Sequence, residues 1–233
     1  MTKRALFASC AIFLAGAMPA AADYNWTGLY IGAHAGGAWG DVDVTGISET
    51  TTFVNYGAPP VTVPFGPDGV LGGGQIGYNF AWANWLIGFE GTIAGLDFDE
   101  SVLNPLAADE MSIDMDWLAT ASLRLGGNWY DCLWYLKGGY AAGEVQTHYN
   151  DTVAGGDPVG FYSTEETHHG YVVGAGVERF IGEQVTFGIE YNFIDLGETD
   201  HRAVASDTGT IVADVDAQMH TVTARLNWLL YNP

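Results

Sequence analysis

The sequence predicts an all-β fold: an eight-stranded antiparallel up-and-down transmembrane β-barrel with short periplasmic turns and four long extracellular links. Three observations carry that expectation: two-residue alternation in eight segments, connections that alternate between short and long, and tryptophan gathered at the short-turn end. Residues 112–126 are the clearest case. Ile113, Met115, Trp117, Ala119, Ala121, Leu123 and Leu125 share one parity; Ser112, Asp114, Asp116, Thr120, Ser122, Arg124 and Gly126 share the other, and Leu118 alone breaks the pattern. A period of two means a strand with one apolar and one polar face. A polar face holding two Asp and an Arg makes a poor soluble core. It suits the inside of a barrel whose outside meets lipid.

The other segments take their places in chain order. Over 28–40, Leu29, Ile31, Ala33, Ala35 and Trp39 oppose Tyr30, Gly32, His34 and Gly36; over 71–80, Ile76, Tyr78 and Phe80 oppose Gln75, Gly77 and Asn79. Trp85, Ile87, Phe89 and Ile93 then face away from Gly88, Glu90 and Thr92, and the 112–126 segment follows as the fourth strand. The fifth sets Trp134, Leu136, Tyr140 and Ala142 against Tyr135, Lys137 and Gly139; the sixth sets Tyr171, Val173, Ala175 and Val177 against Gly174, Gly176 and Glu178. Val185, Phe187, Ile189, Tyr191 and Phe193 oppose Thr186, Gly188, Glu190 and Asn192, and the last strand opposes Val222, Ala224, Leu226, Trp228 and Leu230 to Thr221, Thr223, Arg225 and Asn227. Eight is an even count, as single-chain bacterial barrels require.

Short connections at 81–84, 127–131 and 181–184 alternate with long links at 41–70, 96–111, 144–169 and 195–217. Threading the strands up and down puts Trp26, Trp82, Trp85, Trp129, Trp134 and Trp228 at the short-turn end, as a belt of indoles at headgroup level. The same threading points Glu90, Asp114, Asp116, Glu178 and Glu190 inward with Arg124, Lys137 and Arg225. An eight-stranded barrel is only wide enough for side chains to fill it. Inward charges there must pair, so an interior polar plug is expected; for Asp114 and Asp116, near the loop end, solvation at the barrel mouth is the alternative.

The N-terminus reads as an export signal. Lys3 and Arg4 precede an apolar run over 5–17 and then Met18-Pro19-Ala20-Ala21-Ala22, with the cut expected after Ala22. The chain therefore divides into a signal peptide at 1–22 and a barrel at 23–233. The run is shorter than the roughly 18 apolar residues of a spanning helix. A lipoprotein cut at Cys10 would leave almost no apolar region, so that alternative is rejected. Cys132 is the one cysteine after residue 22, so an internal disulfide is excluded.

Beyond residue 22, 28 acidic side chains face five basic ones (Arg124, Lys137, Arg179, Arg202 and Arg225), a net charge of −23. Nucleic-acid binding is excluded, since it needs clustered Lys and Arg. An exported chain without helical spans and with this alternation belongs in the cell outer membrane.

Candidate chemistry is sparse. Gly72-x-Gly74-x-x-Gly77 matches the dinucleotide-binding pattern, but a turn and another strand follow it where a helix is needed. His168-His169 could bind a metal or haem, yet adjacent strand residues point to opposite faces and chelate poorly. No G-x-S-x-G or H-E-x-x-H occurs, and His220 beside Asp214 or Asp216 fits a solvated loop edge better than a catalytic pair. Asp97, Asp99 and Glu100, or Asp195, Glu198 and Asp200, offer oxygen ligands for Ca²⁺ or Mg²⁺. Hydration and mutual repulsion are the simpler account of those acids. No catalytic, cofactor-binding or metal-ligating residue is assigned, and no enzyme activity or cofactor is expected.

Trp26-Thr27-Gly28-Leu29-Tyr30-Ile31-Gly32-Ala33 resembles the entry strand of the alphaproteobacterial opacity-type (RopB-like) outer-membrane proteins. Gly73-Gly74-Gln75-Ile76-Gly77-Tyr78-Asn79, residues 170–178, Glu190-Tyr191 with Asp195-Leu196-Gly197, and Arg225-Leu226-Asn227-Trp228 extend the likeness across the chain. The resemblance implies an abundant eight-stranded barrel with surface and envelope-integrity roles. Its C-terminus departs from the family, which closes on an aromatic read by the barrel-assembly machinery; here Leu230 holds that register and Tyr231-Asn232-Pro233 follow. The expected function is structural, displaying acidic surface loops among outer-membrane lipids and lipopolysaccharide, with divalent cations as the bridge that would join carboxylate to phosphate. The alternatives are a narrow cation-favouring porin and a surface adhesin or haem-binding protein.

Overall fold

The computed structural model describes residues 25–48, 61–103, 110–150, 161–204 and 210–230. The expected signal peptide at 1–22 and Tyr231-Asn232-Pro233 lie outside these residues. Among the described residues nine strands follow in chain order: β1 (Gly28–Ser48), β2 (Val61–Phe65), β3 (Asp68–Trp82), β4 (Trp85–Leu103), β5 (Glu110–Trp129), β6 (Cys132–Asn150), β7 (Phe161–Phe180), β8 (Val185–Val204) and β9 (Thr210–Leu229). All neighbours are antiparallel, and β1 pairs with β9 to close the cylinder. β2 carries on where β3 stops: Trp39 faces Asp68, and Val42 faces Phe65. The two make one stave broken at Gly66-Pro67, where the proline has no N–H to give and its carbonyl accepts instead from Gly40 N at 3.0 Å. The barrel thus has eight staves.

The strands are longer than the alternating segments foretold. Most of each expected link is strand: β1 runs to Ser48, β4 to Leu103, β6 to Asn150 and β8 to Val204. A strand of 20 residues such as β5, tilted by about 40°, rises roughly 50 Å, about twice the roughly 25 Å apolar band of a membrane barrel. The surplus has a different make-up. Next to the short turns, here the lower half, the outer face carries Ile31, Ile76, Phe89, Ile93, Leu123, Leu125, Leu136 and Ile189, all exposed. In the upper half the outer face carries Asp41, Asp43, Asp97, Asp99, Asp116, Glu198 and Asp216, while Val42, Val44, Phe98, Ile113, Met115, Val145, Leu196 and Val215 pack inside as an apolar core. The barrel is apolar outside and polar inside below, and the reverse above.

Two devices produce the inversion. On β1 and β9 the residue types switch while parity holds: His34 and Arg225 face inward below, and Val42 and Val215 face inward above. On β5 and β8 the backbone switches instead. Register slips between Met115 and Leu118 of β5 against β6, and between Asp195 and Glu198 of β8 against β9. Each bulge adds one residue and exchanges the two faces above it. Gly197 takes a φ of 68° at the β8 bulge, a left-handed conformation open chiefly to glycine.

The β5 bulge corrects one expectation. Asp114 and Asp116 point outward, not into the barrel: Asp114 lies 3.5 Å from His148, and Asp116 accepts from Gln146 at 2.8 Å on the outer face. Ile113 and Met115 take the inside, and Leu118, the misfit in the alternation, is an interior core residue. Trp26 also departs from the expected belt. It is buried inside the lower mouth against Phe180, ring centroids 4.5 Å apart, whereas Trp82, Trp85, Trp129, Trp134 and Trp228 are exposed around the lower rim.

Candidate functional site

The lower interior holds a cluster of buried charge built from six strands. Glu90 on β4 is its centre. Arg124 (β5) lies 3.4 Å away, Lys137 (β6) 3.4 Å away, and Arg225 (β9) also pairs with it. Glu178 (β7) meets Arg124 at 2.6 Å, while Glu190 (β8) meets Lys137 at 2.9 Å and also Arg225. Three carboxylates therefore balance three cations, and all six side chains are buried. Two tyrosines complete the shell. Tyr30 donates to Glu90 at 2.7 Å and accepts from Arg124 at 2.6 Å; Tyr135 donates to Glu190 at 2.7 Å and lies under the Arg124 guanidinium at 3.8 Å. Charged groups out of water survive only when matched and hydrogen-bonded in this way.

Glycine makes room for the large groups. A Cβ on Gly77 would fall within the Tyr30 phenol, and one on Gly176 within that of Tyr135. The Gly72-x-Gly74-x-x-Gly77 pattern thus serves packing between β1 and β3. Below the charges, Trp26, Leu86, Leu133, Phe180 and Leu229 form an apolar floor. Above them lies a cavity of only about 30 Å³, between Lys137, Glu190 and Arg225 on one side and Leu118 and Ile194 on the other. That is room for one or two waters. The apolar core of the upper half follows.

The outer face of the upper half brings carboxylates together across strands. Asp43 and Glu198 both stand opposite Asp216, Asp200 stands opposite Asp214, and Asp99 stands opposite both Asp68 and Asp114. Like charges directly opposite destabilise a sheet. The hydrogen bond and charge of Asp200 accordingly raise the Asp214 carboxyl above its ordinary value, because the pair shares a proton more readily than it ionises twice. A carboxyl raised in this way favours the fold at low pH and loses that contribution as pH rises through its folded value. Asp200→Asn is expected to stabilise the upper half at neutral pH, with the gain shrinking on acidification or on adding Ca²⁺. Thermal unfolding at two pH values checks this.

A barrel with an apolar lower exterior, an indole rim and a charge-paired interior has the layout of a lipid-embedded protein. The profile of the outer membrane protein beta-barrel domain matches residues 8–228. The chain belongs to that family. The 31 kDa outer-membrane immunogenic proteins of Brucella melitensis and Brucella suis are each 29% identical over 218 residues, covering 88% of this chain and 84% of theirs. Among solved structures, the outer membrane protein OprG of Pseudomonas aeruginosa aligns over 88% of this chain and 98% of its own at 12% identity, with a TM-score of 0.46. The family and the Brucella relatives point to the cell outer membrane.

This outer-membrane barrel separates most of the residues that sequence singled out. His168 and His169 part to opposite faces: His169 stacks on Tyr140 outside, and His168 is buried inside, 2.7 Å from His201 Nε2. His220 meets Tyr191 at 2.7 Å and stacks on Trp39, away from Asp214 and Asp216. Glu100 accepts from Gly66 N, whereas Asp97 and Asp99 stand exposed. Among the described residues no three His, Cys, Asp or Glu gather as a metal site. The His168–His201 pairing was invisible to periodicity, because it depends on the one-residue slip in β8.

Proposed function

We propose that this protein is a structural barrel of the outer membrane, closed to solutes and without catalysis, that packs the bilayer and holds an acidic collar above it. The short turns face the periplasm and the collar faces outward. The observation that carries this reading is the filled interior: apolar floor, charge cluster and apolar core succeed one another along the axis. The apolar belt contacts lipid acyl chains. The facing carboxylates of the collar attract divalent cations, which join them to lipopolysaccharide phosphates. Insertion is the work of the barrel-assembly machinery.

Single-channel recording of the refolded full chain in planar bilayers tests the reading. No stable conductance is expected. Reproducible channels selective for cations would instead establish a narrow porin and overturn the sealed barrel.

A further inference from the structure

Among the described residues the barrel wall lacks a backbone ladder along two stretches: between β4 and β2, which pairs with β1 alone, and between β7 and β8. β7 and β8 pair from Phe180 opposite Thr186 up to Tyr171 opposite Asp195, and their register ends there. Both strands continue, β7 to Phe161 and β8 to Val204. Each keeps its other neighbour: β6 follows β7 to Phe161, and β9 follows β8 to Val204. The parting begins at the β8 bulge, where Gly197 turns the chain. Above it, the edges of β7 and β8 face each other without a ladder.

Side chains span this gap. His168 of β7 and His201 of β8, both buried, meet Nε2 to Nε2 at 2.7 Å. Thr164 Oγ1 lies 3.2 Å from His201 Nδ1, and Thr147 Oγ1 lies 3.4 Å from it. A hydrogen bond between two imidazole nitrogens needs a single proton on the line: one ring donates and the other accepts. With both rings protonated, both are donors, and two cations face each other beside an apolar core that includes Val145, Leu196 and Val215. We propose that the His168–His201 pair is a proton-operated clasp, shutting the upper wall between β7 and β8 near neutral pH and releasing it in acid, when the apolar core is bared.

The charged neighbours do not replace the clasp. Glu166 of β7 shares the inward parity of His168 but is exposed; its charge and the Gly197 carbonyl favour a proton on His168. Glu165 and His169 of β7, Glu144 and His148 of β6, Glu198 and Asp200 of β8, and Asp214 and Asp216 of β9 all belong to the outer-face parity. Burial dominates. It lowers His168 below its ordinary value and, together with the charge His168 would carry, lowers His201 to about 4. A histidine depressed on folding contributes stability that is complete above its unfolded value, near 6.5, and is lost as pH falls through the folded value. The clasp therefore opens between those limits.

Amide hydrogen exchange on the refolded full chain in detergent micelles, from pH 7.5 downward, reads the gap directly. After correction for intrinsic rates, protection over 161–170 and 196–204 is expected to fall about tenfold or more below a pH of about 5, while β3 and β4 hold steady. In His168→Gln/His201→Gln, amides that bond at any pH should make protection in both segments independent of pH; His201→Gln alone serves if the double variant does not refold. Constant protection in the unaltered protein, or an unchanged acid response in either variant, would overturn the clasp.

Discussion

Glu90→Ala is expected to destabilise the barrel by about 3–5 kcal/mol, the cost of leaving buried charge without its partner. Among the described residues Glu90 is the one carboxylate that meets Arg124, Lys137 and Arg225 together, and it also accepts the Tyr30 hydroxyl. Without it two carboxylates remain against three cations, all buried away from bulk solvent. Urea unfolding of the refolded protein measures the loss. Adding Lys137→Met restores the balance of two against two, so the double variant should be more stable than Glu90→Ala alone. A double variant that unfolds even more easily would show that Lys137 acts through Glu190 and not through the charge balance.

Gly176→Leu should cost about 3 kcal/mol or more, because overpacking is added to the loss of buried hydrogen bonds. Its side chain would enter the space of the Tyr135 ring. Displacing that ring breaks the bond to Glu190 and the 3.3 Å contact with Arg225, and it removes the aromatic face beneath Arg124. Gly138, on β6 of the same sheet, is the control. Its Cβ would meet only the Val172 carbonyl oxygen, at an ordinary 3.9 Å. Gly138→Ala should leave the unfolding midpoint within a few tenths of a molar in urea, corresponding to about 0.5 kcal/mol.

The lower half was legible because its alternation has one meaning. Apolar residues at every second position and Glu90, Arg124, Lys137, Glu178, Glu190 and Arg225 between them can satisfy lipid outside and a narrow interior in only one way. Which charges would pair could not be read, since Arg124 and Glu178 stand 54 positions apart and meet only across the closed cylinder. The upper half hid in plain composition. Asp41-Val42-Asp43-Val44 alternates as strictly as any membrane strand, but its acidity made it look like a loop. Asp114 and Asp116 were misplaced for a separate reason: counting by twos presumes an unbroken ladder, and a bulge leaves no mark in a run whose apolar residues keep the same parity.

The extra residues at the two bulges set a waterline on β5 and β8. Below them a side chain of given parity lies on the apolar exterior; above them the same parity answers to the protein interior. Chain length, not residue type, thus decides which solvent Ile113 and Leu125 each meet. Deleting Asp116 would keep every remaining side chain and yet turn the strand above it inside out, setting Asp114 against the core and Ile113 in water. A substitution survey of β5 should record this as two tolerance rhythms, one residue out of step, joined at 116–117.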